Sequence, residues 1–282
     1  MEDTRFVFGT VGSPRSTPKK PGGSPGAVIH TRELGLGALE VGWVRSVRVT
    51  DVTCDTIKLA ADEHNVAISV HAPYFINLNA NDEEWPKSRK RLMDAARCGN
   101  QAGATDIVFH PGSYFGRRAD EVLQVAIPRL RECVSDLRAA GNHVTLRPET
   151  VGKGAMLGSL EDTLVMSKEI LGVSPCIDIA HLHARTGDGS VNSYQEFASI
   201  MDALNSTLGI QSLRGMHIHI SGIEYGHKGE KKHMPLDESD MNYQEFLQVL
   251  SDYECSGRIL CESPIMEEDA LLLQRTWGDI TS

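Results

Sequence analysis

Short apolar runs alternate with longer amphipathic stretches, eight times, without a compositional break. Among the runs at 6–9, 38–43, 66–71, 106–110, 144–147, 174–178, 214–220 and 258–262, several are short and rich in Val and Ile. Brief, nearly continuous apolar segments of this kind predict strands buried on both faces. Between them, 84–101, 119–140, 160–171 and 243–253 carry the clearest helical periodicity. Eight strand–helix units in one chain predict an α/β fold, a (β/α)8 TIM barrel formed as a single domain over 1–282. A doubly wound open sheet is the alternative, but it would gather functional residues at one switch point.

Local signals agree. Asp51 or Thr53 is placed to cap the second helix, Gly141 and Asn142 end the fourth, and Ser159 precedes Asp162 as a weak capping box. Two segments are expected as loops. One is 12–26, rich in Gly, Pro, Ser and Lys, predicted as a mobile loop at the barrel mouth. The other is 221–240, which carries His227 and His233.

Composition adds limits. The 282 residues are 40% hydrophobic and 23% charged, as in soluble enzymes with a sizeable core. No apolar run is long enough to span a membrane, and the N-terminus lacks signal-peptide features, so a cytoplasmic location is expected. The six cysteines form no CxxC pair and are expected to be reduced. A net charge of −10 argues against undirected binding to nucleic acid. Local basic groups remain at Lys19-Lys20, 87–91 (with Arg89), Arg117-Arg118 and Lys231-Lys232, each of which is also an ordinary solvated face.

The candidate chemistry lies at the strand ends. His71, His110, Glu149, Asp178, His181, His217, His219, His233 and Glu262 recur from the third unit to the eighth. Parallel barrels build active sites at the carboxyl ends of their strands. Imidazole and carboxylate suit zinc, iron or manganese, and this set exceeds the needs of one ion. Any one of these residues has an ordinary reading as a buried, hydrogen-bonded polar group; the whole series does not. Strand alternation puts His217 and His219 on one face, so the sequence does not choose between them. Glu149 sits mid-series, before the turn Gly152-Lys153-Gly154, and is the natural carboxylate to bridge two ions. His183 is expected to lie outside the donor set. There is no nucleophile elbow, Walker loop or complete dinucleotide fingerprint.

The stretches 71–78, 149–154, 176–181 and 215–217 resemble endonuclease IV, the family of zinc-dependent apurinic/apyrimidinic endonucleases. The likeness runs in order from about the third strand to Glu262. It implies hydrolysis of the DNA phosphodiester 5′ to an abasic site, with Zn2+ as cofactor (two to three ions, Mn2+ or Fe2+ as alternatives) and Glu149 as the catalytic residue. By motif, His71, His110 and Glu149 would hold the first ion. Glu149, Asp178, His217 and Glu262 would hold the second, and His181 and His233 the third. Tyr74 matches a tyrosine of a DNA-contacting loop, with Lys153 and Arg89 expected on the same surface. The expected partner is double-stranded DNA with abasic sites, bound by a monomer.

Two departures qualify the third ion. The family has an aspartate where this chain has Lys231, and Ile218-His219 follow His217 where the family has Asn and Asp. His219 or Glu230 is the replacement available. A metal-dependent sugar isomerase or epimerase of the same barrel superfamily, and a lesion-binding protein without catalysis, are the competing readings.

Overall fold

The computed structural model describes residues 5–282. In chain order the elements are β1 (Phe6–Val11), α1 (Gly23–Glu33), β2 (Ala38–Gly42), α2 (Asp51–His64), β3 (Ala67–His71), α3 (Trp85–Gln101), β4 (Asp106–Phe109) and β5 (Gly112–Ser113). Next come α4 (Ala119–Ala139), β6 (Thr145–Pro148), β7 (Met156–Leu157), α5 (Leu160–Glu169), β8 (Cys176–Asp178), α6 (Ile179–Arg185) and α7 (Tyr194–Leu208). The last are β9 (Met216–Ile220), β10 (Gly222–Gly226), β11 (Gly229–Met234), α8 (Tyr243–Asp252), β12 (Gly257–Cys261) and α9 (Glu267–Thr281).

Eight parallel strands pair in the order β6-β4-β3-β2-β1-β12-β9-β8. Parallel bridges Leu146–Val173 and Glu149–Cys176 join the two edges and nearly close the barrel. The strands are legible because most of their residues are buried on both sides. Outward residues such as Ile68, Val70, Ile107, Ile177, Ile218 and Ile259 pack under the helices. Inward positions are partly polar: Glu40, Ser69, His71, His217 and His219 are all buried. At the opposite end of the barrel from the metal-type residues, Asp106 is clamped by Arg147 Nε at 2.6 Å and Arg258 at 3.1 Å. That clamp fills a polar floor with paired charges, the form in which charges survive burial.

Three local expectations are revised. Thr50, not Asp51 or Thr53, caps α2, its hydroxyl accepting from Thr53 N at 3.2 Å. The glycine-rich segment is tied down at its start, where Glu267 accepts from Arg15 N and Ser16 N, both at 2.8 Å. Its end is helical: Pro25 stands in the first turn of α1, where a missing N–H costs nothing. The segment 221–240 contains the antiparallel hairpin β10–β11, closed by His227 and Lys228 between paired glycines. Other local signals hold. Ser159 and Asp162 form a reciprocal capping box on α5, and all six cysteines are free and buried. Among the described residues, no helix is long and apolar enough to cross a membrane.

Candidate metal centre

Nine side chains converge at the carboxyl ends of the strands in three linked groups: His71, His110 and Glu149; Glu149, Asp178, His219 and Glu262; and His181, Glu230 and His233. Glu149 joins the first two. Its Oε2 lies 3.2 Å from Nε2 of His71 and 3.2 Å from Nε2 of His110. Its Oε1 lies 3.6 Å from His219 Nδ1 and 3.2 Å from His181 Nδ1. Glu262 connects the second and third groups, with Oε1 3.3 Å from His219 Nδ1 and Oε2 3.4 Å from His233 Nε2. Glu230 Oε2 stands 3.6 Å from His181 Nε2.

These spacings fit divalent cations. Donors around a tetrahedral zinc with bonds of about 2.1 Å stand about 3.4 Å apart, and the separations here run from 3.2 to 3.6 Å. Glu149 Oε1, Asp178 Oδ2 and His219 Nδ1 are buried without a hydrogen-bond partner among the described residues. Such groups are costly to bury unless something satisfies them, and a cation is what two carboxylate oxygens and an imidazole nitrogen in one place can share.

The second nitrogens of the histidines are held as metal ligands usually are. His71 Nδ1–H donates to Ala72 O at 2.9 Å, which leaves Nε2 facing Glu149. His181 Nδ1–H donates to Thr150 O at 2.9 Å, which leaves Nε2 facing Glu230. His233 Nδ1 pairs with the Ser221 hydroxyl at 2.6 Å. Asp178 caps α6 by accepting from His181 N at 2.6 Å, so helix start and donor pair are positioned by one bond.

Electrostatics are dominated by the pairing. Burial alone would raise the pKa of Glu149, but His110, His181 and His219 together hold it well below the usual carboxylate range. Burial works against a charged His71, and Glu149 outweighs it, lifting the pKa to about 9. Asp178 is the exception: burial, with Glu262 and Glu149 nearby, outweighs the histidines and raises its pKa. Three carboxylates in one small volume call for positive charge.

His217 is a correction. The resemblance assigns it to the second group, but His219 occupies that place. Both point into the barrel in successive layers, and His217 lies one layer deeper, its Nε2–H donating to Glu40 Oε2 at 2.9 Å. Cys176, His217 and His219 also approach one another in the interior. Burial pushes the Cys176 thiol far above its ordinary pKa, and a protonated thiol is a poor ligand.

Glu230, not position 231, stands beside His181 and His233. The β10–β11 register shifts between Glu224 and Tyr225, so that Glu224 faces Lys232, Tyr225 faces Glu230, and Lys231 bulges out. Lys231 reaches Glu224 at 3.1 Å, away from the donors. Gly152 permits the closure. A side chain there would meet Glu230 Cβ at 2.7 Å and His181 Cδ2 at 3.1 Å. The turn after Glu149 is braced, with Arg185 donating to Val151 O at 2.6 Å and Lys153 O at 2.9 Å.

The expected DNA surface divides. Tyr74 is half exposed, its ring 5.4 Å from those of His71 and His110. Lys153 is exposed beside the hairpin. Arg89 is turned to α4, where it pairs with Asp136 and with Glu132 at 3.7 Å, so its charge is spent there. Lys90 and Arg118 are similarly paired with Asp94 and Asp120. Within that basic run it is Arg91 that faces the mouth. It donates to Phe75 O at 3.1 Å and lines a groove of about 940 Å³ with Tyr74, Phe75, Phe115 and Arg117. His183 is buried outside the donor groups, 3.0 Å from Asp240. Glu40 is missing from the donor series read from the sequence, although a lone acid in the apolar run ALEVGW is a signal of buried function.

A parallel barrel with clustered imidazoles and carboxylates at the strand ends defines the class. The chain belongs to the xylose isomerase-like TIM barrel family, whose model matches residues 29–277. It is 38% identical over 276 residues to an uncharacterized protein of Methanocaldococcus jannaschii, with 98% of each chain covered. Its fold is similar to endonuclease IV from Thermus thermophilus (TM-score 0.72, 22% identity, 97% of this chain and 99% of that one). It is also similar to a D-tagatose 3-epimerase-like protein (TM-score 0.73, 20% identity, 98% and 97%).

Proposed function

We propose that the protein is a metal-dependent apurinic/apyrimidinic endonuclease that hydrolyses the phosphodiester 5′ to an abasic site in double-stranded DNA, with zinc as the preferred ion. The observation that carries this reading is the number of donor groups. Three linked groups surround one mouth, and the third is complete through Glu230. Bound divalent ions would lower the pKa of water and stabilise charge on the oxygens of a displacement at phosphorus. Glu149 spans two groups and would orient what lies between them. Tyr74 stands over His71 and His110 with its ring accessible for stacking at a lesion. The pairing of Lys231 with Glu224, away from the donors, favours the catalytic reading over a non-catalytic lesion binder.

A sugar isomerase or epimerase is the second reading, favoured by the group Glu149, Asp178, His219 and Glu262, which suffices for one ion between two potential acid–base glutamates. It leaves His71, His110, His181, Glu230 and His233 without work. The deciding experiment incubates the zinc-loaded protein with a duplex carrying one abasic analogue and resolves products by denaturing electrophoresis. One cut 5′ to the analogue, abolished by chelation, is expected. An intact duplex together with interconversion of ketose sugars would establish the second reading instead.

A further inference from the structure

The interior of the barrel holds a carboxylate that neither reading uses. Glu40, from the middle of β2, is fully buried beneath the mouth. Ser69 Oγ donates to its Oε2 at 2.7 Å, and His217 Nε2–H donates to the same oxygen at 2.9 Å. Its Oε1 lies 3.1 Å from Nε2 of His219, within ion-pair distance, and neither atom has a hydrogen-bond partner among the described residues. His219 turns its remaining nitrogen, Nδ1, toward Glu149 and Glu262.

Three other histidines of the mouth have one nitrogen held by a protein oxygen: Ala72 O for His71, Thr150 O for His181 and Ser221 Oγ for His233. Glu40 stands in that place for His219, and it alone is a carboxylate. We infer that Glu40 is a positioning residue for the second donor group, fixing His219 with the proton on Nε2 so that Nδ1 is presented to a metal ion, while Ser69 and His217 fix Glu40. A charged partner also raises the basicity of the imidazole it holds. A carboxylate in this buried setting is tolerated because Ser69 and His217 donate to it and the His219 imidazole stands within ion-pair distance.

This inference rests on reading the mouth as a metal centre and is independent of the substrate. It is tested with cobalt(II) as the probe on chelator-stripped protein, by absorption titration, together with 15N spectra of the histidine nitrogens. In Glu40→Gln, one cobalt per chain should bind about 10- to 100-fold more weakly, the loss usual for outer partners of metal ligands. The His219 nitrogen signals should move while those of His71 and His181 stay. A merely structural role would lower thermal stability and leave both readouts unchanged, which overturns the inference. If Glu40→Gln does not fold, Ser69→Ala decides, since it removes one of the two groups that hold Glu40. A shift of the His219 nitrogens with weaker cobalt binding supports the inference, and unchanged spectra overturn it. Wild-type protein that binds no cobalt overturns the metal reading itself.

Discussion

Glu230 and His233 stand three residues apart on one strand, yet both face His181. Regular alternation would put them on opposite sides. The bulged Lys231 re-phases the strand by one residue, the usual effect of a β-bulge near an active site.

That relationship makes a prediction opposite to the one the sequence alone suggests. Lys231→Asp should leave the metal content unchanged, because position 231 points to Glu224 and solvent. Glu230→Gln should lower it by about one ion per chain, since a neutral amide binds a hard cation less strongly than a carboxylate. Elemental analysis after dialysis reads both. A gain of metal in Lys231→Asp would mean the bulge does not persist in solution.

The contrast says what the sequence could carry. Strands buried on both faces are written as apolar runs, so the barrel and its strand ends could be read directly. Facing within a strand could not. His217 and His219 share a face by alternation, and only the barrel's layering puts His219 among the donors and His217 on Glu40. The hairpin was hidden because GIEYG and GEKKHM carry little apolar alternation and owe their pairing to backbone bonds and a two-residue turn. Arg89 was misplaced because a run of basic residues on a helix does not reveal which of them meets the acids of the next helix.

Glu149→Gln preserves shape and removes the charge shared by two groups. Incision of an abasic duplex should fall by about 10²-fold or more, the scale of losing a preorganised electrostatic group. Metal content should fall as well, because His71 and His110 both converge on the oxygen that changes. Near-normal incision with full metal content would remove Glu149 from the centre of the mechanism.

The metal-free protein should lose stability as pH rises. His71 has a pKa of about 9 in the fold against an ordinary 6.5, because Glu149 outweighs the effect of burial. A raised histidine pKa contributes stability that is full below about 6.5 and lost as pH climbs through about 9. Thermal melts of chelator-stripped protein should therefore show Tm falling across that interval. An ion at the first group needs the same Nε2 without its proton, so loading zinc near neutral pH should release protons, measurable with a pH indicator. Melts that stay flat across the same interval would mean that the His71–Glu149 pair is not ionised.

The proposed DNA surface makes a contrast between two neighbouring arginines. Arg89 is engaged by Asp136 and Glu132 on α4, whereas Arg91 lines the groove beside the mouth. If DNA follows that groove, affinity for an abasic duplex should fall with salt, and Arg91→Ala should lower the log–log slope by about one unit. Arg89→Ala should leave the slope unchanged. Tyr74→Ala should behave differently again. Its ring sits against His71 and His110 and carries no charge, so its loss should weaken binding to abasic duplex more than to intact duplex without altering the slope. Fluorescence anisotropy with both duplexes at several salt concentrations separates these effects. A slope that drops in Arg89→Ala and not in Arg91→Ala would move the path of the DNA off the groove and onto the α3–α4 face.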